Sequence, residues 1–217
     1  PPADSVPAWL VILVATLQYA LLLALAATVG ARLAPRVGLR APAFAARAGQ
    51  PDPPLSLRAA ALPTLLGGIA GGAVITVFPH AGPASLAALD AAPALPLSVR
   101  ILYGGITEEI LLRWGLMTFL VWLGWRTLQR GRGLPSAALA WTAIVASAVA
   151  FGVLHLPAVT AVVGTLTPAA AAYVIAANAA FGLVAGWLFL RYGLGAAIAA
   201  HVLAHASAFV AQATIGA

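Results

Sequence analysis

The segment AWLVILVATLQYALLLALAATVGA, Ala8–Ala31, carries no charged side chain and no proline. At about 1.5 Å per residue such a helix covers a hydrocarbon core ~30 Å thick. Its apolar residues follow one another instead of alternating over about ten residues, so it reads as a helix and not as a barrel strand. Five more segments read the same way: Ala59–Phe78, Leu97–Trp125, Ser136–His155, Pro168–Leu190 and Leu194–Ala213. The whole chain agrees with them, with 217 residues, 63% hydrophobic and only 7% charged. Its mean hydropathy is +1.02. A soluble domain carries charge on roughly a quarter of its residues. The expected fold is therefore an all-α membrane protein, a polytopic bundle of about six transmembrane helices. Residues 1–217 form one transmembrane domain, with no room for a separate soluble one.

Breakers mark the connections. Pro35, Pro42, Pro51, Pro53 and Pro54 follow the first segment, and Pro79, Pro83, Pro93 and Pro96 follow the second. Between the latter, Leu86–Ala92 has the length of a short interfacial helix. Gly131, Gly133 and Pro135 close the third gap, Pro157 and Pro168 bound the fourth, and Tyr192-Gly193 makes the last turn. Arginines then set the orientation. Arg32, Arg36, Arg40, Arg47 and Arg58 fall in the first gap, Arg126, Arg130 and Arg132 in the third, and Arg191 in the fifth. The even gaps hold only Arg100. By the positive-inside rule both termini face away from the cytoplasm.

The net charge of +6 comes from arginine alone, since the chain has no lysine. Arginines in cytoplasmic loops account for it, and no nucleic-acid partner is implied. The partners expected are the lipid bilayer and a membrane-associated peptide or protein. With no cysteine, the chain has no disulfide, no thiolate metal site and no Cys nucleophile. The opening PPADSVPAW lacks a basic n-region and does not resemble a signal peptide; it is compatible with trimming. The Arg- and Ala-rich, Lys-free composition points to a high-GC prokaryote and a multi-pass protein of its cell membrane. No internal repeat is evident. The Ala/Gly richness of the last three segments suits close helix packing.

Charges inside spans are costly and call for an explanation. The third segment holds Glu108, Glu109 and Arg113. Glu109 and Arg113 lie four apart and share a helix face, so they can pair. Glu108 points about 100° away, free of that partner. A purely structural cluster and a working carboxylate beside a structural pair both fit these residues. Three histidines, His155, His201 and His205, also lie in predicted spans, the last two at i and i+4 on one face. In a chain this poor in polar groups the five residues together point to chemistry. His80, beside Pro79 at a span end, reads as interfacial. Ser147 and Ser207 sit in no nucleophile motif.

Glu108-Glu109-x-x-x-Arg113, then Phe151-x-x-x-His155, then His201-x-x-x-His205 resembles the three-motif signature of the type II CAAX prenyl endopeptidases. These are the CPBP or ABI family of intramembrane proteases. The likeness spans Ile101 to Phe209, so residues 101–209 are the expected catalytic core. It implies hydrolysis of peptide bonds by an activated water. Glu108 would be the general base, with His155 holding the water. His201 with His205 would donate hydrogen bonds to the oxyanion, and Glu109, Arg113 and Phe151 would structure the site. The family's third motif usually ends in Asn or Asp, where this chain has His205. An imidazole can still donate there. No cofactor is required in this mechanism. Prenylated substrates are not expected in a prokaryote, and no pattern marks a prenyl pocket.

Three other functions fit the same residues. His155, His201 and His205 with a glutamate could hold a catalytic zinc, although no HExxH is present. Buried Glu and His also serve proton relays in transporters, whose inverted repeats are missing here. A pseudoprotease would keep the fold without the activity. Depth is a further constraint. Glu108 and His155 lie at similar distances from the third gap, whereas straight helices would leave His201 ~15 Å shallower.

Overall fold

A chain in lipid must satisfy its backbone N–H and C=O groups within each segment, and the apolar segments accordingly all become helices. The structure is a computed structural model that describes residues 6–42, 57–89, 92, 93 and 95–215. Helix α1 is Ala8–Leu33, α2 is Leu57–Ala81, and α3 covers residues 97–127. They are followed by α4 (Ala137–Val163), α5 (Pro168–Tyr192) and α6 (Leu194–Ile215). No strand occurs among the described residues. This is the all-α membrane bundle that the composition implies. Arg47, Pro51, Pro53 and Pro54 of the first connection, and the first five residues, lie outside the described part.

Among the described residues, five helices are long and apolar enough to cross a membrane: α1 with its following turn, α2, α4, α5 and α6. Helix α3 differs because Arg100, Glu108, Glu109 and Arg113 crowd its first half. It is also wound differently. Arg100–Glu108 and Ile110–Met117 are π-helical, with α-helical residues before, between and after them. Two threonines follow this winding and donate to carbonyls five residues back, Thr107 to Leu102 at 3.0 Å and Thr118 to Arg113 at 3.2 Å. π-helical turns concentrate at functional sites.

Two expected boundaries need correction. Helix α4 does not stop near His155 but runs through Pro157 to Val163. Proline costs one backbone bond, a loss that membrane helices tolerate where neighbours compensate. The stretch expected to form a helix over Leu86–Ala92 is instead a 3-10 helix, Ala84–Leu89.

Local signals set the other ends. The Ser136 hydroxyl accepts from Leu139 N–H at the start of α4, and the Thr167 hydroxyl accepts from Ala170 N–H at the start of α5. Gly193, at φ 88°, makes the tight turn into α6. Leu194 N–H then donates to the Arg40 carbonyl at 3.0 Å. The first connection and the α5–α6 turn thus meet at one end, as the arginine pattern requires.

Helix contacts rest on small residues. A Cβ at Gly152 would lie 2.5 Å from the Ile175 carbonyl oxygen of α5. One at Gly182 would lie 2.8 Å from Ala148 Cβ of α4. Gly68, Gly71 and Gly72 bring α2 against Leu203, Ala204 and Ser207 of α6. Helix α1 docks on α3 through Ala26 against Gly115 and Gly30 against Trp114. Nearer its start, the Tyr103 hydroxyl of α3 donates to Tyr19 at 3.1 Å. The core between α3, α4, α5 and α6 is lined by Leu112, Ile144, Phe151, Phe181 and Phe189.

Candidate active site

Glu109 and Arg113 are completely buried, and their charges lie 3.3 Å apart from Oε1 to Nη1. That is an ion pair by distance, although Nη1 is not aligned for a hydrogen bond. Burying either charge alone would be prohibitive, so each stabilises the other. Arg113 has further support. Its Nη2 donates to the Gly182 carbonyl at 3.1 Å, and its guanidinium carbon sits 5.0 Å from the Phe151 ring centre. Glycine at 182 lets α5 close on Ala148 of α4, where a Cβ would lie 2.8 Å from the alanine Cβ, and so brings its carbonyl to Arg113.

Helix α6 brings His201 onto the same carboxylate. His201 Nδ1 lies 2.8 Å from Glu109 Oε1, and its Nε2 lies 4.0 Å from Glu108 Oε2. One imidazole therefore bonds Glu109 and faces Glu108 across 4.0 Å. Phe181 and Phe151 wall it in, with ring centres at 4.6 and 5.9 Å. Glu108 differs from its neighbour: its side chain keeps 15% of its surface accessible, against 0% for Glu109. The buried carboxylate is structural in geometry, and the one at the edge can meet water.

The other two histidines complete the cluster. His155 packs edge-on against Phe151 at 4.7 Å, and its Nδ1 is 2.8 Å from the Phe151 carbonyl oxygen. His205 stacks on His201 with ring centres 5.0 Å apart and planes 19° from parallel. It fits because residue 104 is glycine; a Cβ there would collide with His205 Nε2. Next to it, Gly105 lets α3 approach the backbone of Val202. Among the described residues, His205 Nδ1, Glu109 Oε2 and Arg113 Nε are buried without a hydrogen-bond partner.

The sequence-predicted residues thus converge around Phe151 and His201. The expectation that His201 sits ~15 Å shallower than Glu108 does not hold, since their side chains lie 4.0 Å apart. π turns take up more residues for each turn than α turns, so counting residues back from Arg126 overstates the depth of Glu108. Phe181, the Gly182 carbonyl and Gly104 were not anticipated. A signal existed for the first two: Phe181-Gly182 repeats the Phe151-Gly152 dipeptide of the second motif.

A zinc ion held by His155, His201 and His205 finds a poor fit. His201 and His205 stack face to face instead of converging on a point. Among the described residues no three His, Asp or Glu side chains form a metal-holding group.

A family model for Rce1-like type II CAAX prenyl endopeptidases matches residues 90–207. The chain belongs to that family. No curated protein and no solved structure matches it. The matched region runs from just before α3 to His205 and beyond, so it contains all three motifs and every residue of the cluster. As a member of this family, the chain has a function of the intramembrane CAAX-protease type, in an integral membrane protein.

Proposed function

We propose that the chain is an intramembrane endopeptidase that hydrolyses peptide bonds of membrane-associated substrates through a water activated by Glu108. The observation that carries this is the 4.0 Å separation of Glu108 Oε2 and His201 Nε2, at the accessible edge of a buried Glu109–Arg113–His201 network. A water at about 2.8 Å from each atom spans that separation.

The roles follow from position. Glu108 takes a proton from the water as its oxygen bonds to the scissile carbonyl carbon. His155, from α4, helps to hold the water. Glu109, Arg113 and Phe151 fix the geometry from behind. His205, stacked on His201, would donate where charge develops on the carbonyl oxygen. The departing amine takes up a proton as the C–N bond breaks. The substrate is a peptide tethered to or embedded in the bilayer.

The test is cleavage of a panel of membrane-tethered peptides, prenylated and unprenylated, with and without chelator. The wild type is expected to cleave at least one peptide, and Glu108→Ala and His155→Ala to lose that activity. Chelator is expected to change nothing. Wild-type rates in folded Glu108→Ala would end the proposal, and activity lost to chelator and restored by zinc would redirect it to a metalloenzyme.

A further inference from the structure

Asn178 is the only asparagine of the chain, and no step above uses it. It stands midway along α5. Val174, Phe181 and Ala185, at i−4, i+3 and i+7, are buried, so Asn178 belongs to the inward stripe of the helix. Ala176, Ala180 and Leu183, on the other side, are exposed. The packing of α4 on α5 sets its depth. Gly152 faces Ile175 and Ala148 faces Gly182, so Asn178 falls between these contacts, level with Phe151. Phe151 is the ring that His155 and His201 both meet, and Phe181, one turn on from Asn178, meets His201 from the α5 side. The amide thus stands beside the cluster, on the α5 wall, which gives the cluster no other polar side chain.

Polar residues that hold membrane helices together bond across to a neighbouring helix. Asn178 does not. Its Nδ2 donates to the Val174 carbonyl, four residues back on its own helix, at 2.8 Å. That carbonyl can only accept, which fixes the end of the amide that faces it. Among the described residues Oδ1 has no hydrogen-bond partner. It is not sealed either, since the sealed atoms without a partner belong to Glu109, Arg113 and His205. One acceptor and one N–H are therefore left over at the depth of the site.

A substrate chain extended for cleavage has lost its helical hydrogen bonds, and main-chain groups left unpaired within the bilayer are costly. Along an extended chain the N–H and C=O of one residue point to the same side, and a neighbour with one acceptor and one donor satisfies both. We propose that Asn178 is a substrate-binding residue that pairs with the main chain of one extended substrate residue near the scissile bond, Oδ1 accepting its N–H and the spare Nδ2 hydrogen donating to its C=O. The inference rests on the hydrolase function above and names what the site holds: backbone, independent of side-chain identity. The ligand class is a peptide segment that unwinds within the bilayer. The role is separate from donation to the oxyanion by His201 and His205.

The test uses a membrane-tethered peptide that the wild type cleaves, with analogues in which one non-scissile N–H at a time is replaced by an ester oxygen. In wild type one analogue near the cut is expected to lose about 5–10-fold in kcat/KM, the worth of one hydrogen bond. In Asn178→Ala the same analogue should lose less than about twofold against the parent peptide, because the acceptor is already gone. On the parent peptide Asn178→Ala is expected to raise KM about tenfold with kcat within about threefold, and Asn178→Gln, which keeps both groups, to recover part of the loss. An ester penalty equal in wild type and Asn178→Ala, as a structural residue would give, overturns the proposal, and so does Asn178→Ala with wild-type KM. Alanine flanks position 178 on both sides and is the best helix former, so the variant keeps α5; Asn178→Leu carries the same comparison if it does not. The comparison is repeated as equilibrium binding of the labelled peptide and its analogues to Glu108→Gln, with and without Asn178→Ala. A wild type that cleaves no peptide, while binding shows the Asn178-dependent penalty, defeats the hydrolase function and leaves this proposal standing. Cleavage without that penalty defeats this proposal alone, and its absence from both cleavage and binding also overturns it.

Discussion

Replacing Arg113 with methionine removes the cation that neutralises Glu109 while keeping side-chain length and apolar contact. Both partners are inaccessible to solvent, so the orphaned carboxylate cannot reach water. Breaking such a buried pair costs about 3–5 kcal/mol. The variant also loses the donor to the Gly182 carbonyl and the cation over Phe151. For a chain of this size, about 2–4 °C per kcal/mol converts the loss to a fall of about 6–20 °C in thermal midpoint. The assay is thermal challenge in detergent followed by size exclusion of the surviving monodisperse protein. Glu109→Leu is expected to fall in the same range, because it leaves Arg113 charged in the same apolar surroundings. The double variant Glu109→Leu/Arg113→Met removes both charges, and its stability should return to within about 2 kcal/mol of wild type. It should still be inactive, since His201 has lost its anchor. The reasoning fails if Arg113→Met melts within about 2 °C of wild type, or if the double variant is destabilised by the sum of the single effects.

Glu108→Gln should separate activity from stability. Cleavage is expected to drop at least 10²–10⁴-fold, the usual range for a lost general base, with a midpoint shift under about 4 °C; a shift as large as that of Arg113→Met would make Glu108 structural. In Gly104→Ala the new Cβ collides with His205 Nε2, so peptide cleavage should fall about tenfold or more and stability by about 1–3 kcal/mol. Gly195→Ala, with nothing within 4 Å of the new atom, is the matched control and should melt with the wild type. In Gly182→Ala the methyl meets Ala148 Cα at 2.9 Å and should push α4 from α5 at a cost of about 1–3 kcal/mol, read as a lower midpoint. Tyr19→Phe removes one exposed hydroxyl bond between α1 and α3 and should cost less than about 1 kcal/mol in the same assay.

Much of this molecule is legible from residue pattern because lipid leaves few choices. A long uncharged run must be a helix, and a buried Glu and Arg four residues apart must pair, as Glu109 and Arg113 do. The separation of Glu108 from that pair was legible for the same reason. What the pattern hid depends on neighbours. Pro157 looks like a helix end, yet α4 continues past it to Val163. The attachment of His201 to Glu109 lies 92 positions away along the chain, and no spacing rule relates them. Phe181 is one aromatic among several until α5 is packed against α4, and only then does it become a wall of the site.

The winding of α3 connects these points. Along its face toward α6, Gly104 admits His205, Gly105 admits Val202, and Glu109 binds His201. In an α-helix at about 100° per residue, positions 104 and 109 would diverge by about 140° and could not serve one neighbouring helix. The wider π turns, whose bonds run five residues back, narrow that angle, so α6 meets two glycines and a carboxylate on one face. Glu108 and Glu109, as consecutive residues, still point in different directions, which leaves one carboxylate at the edge and the other sealed. An α-wound α3 would turn the seat of His205 and the anchor of His201 further apart. The π winding permits both, and the stacked imidazole pair at 5.0 Å is the consequence.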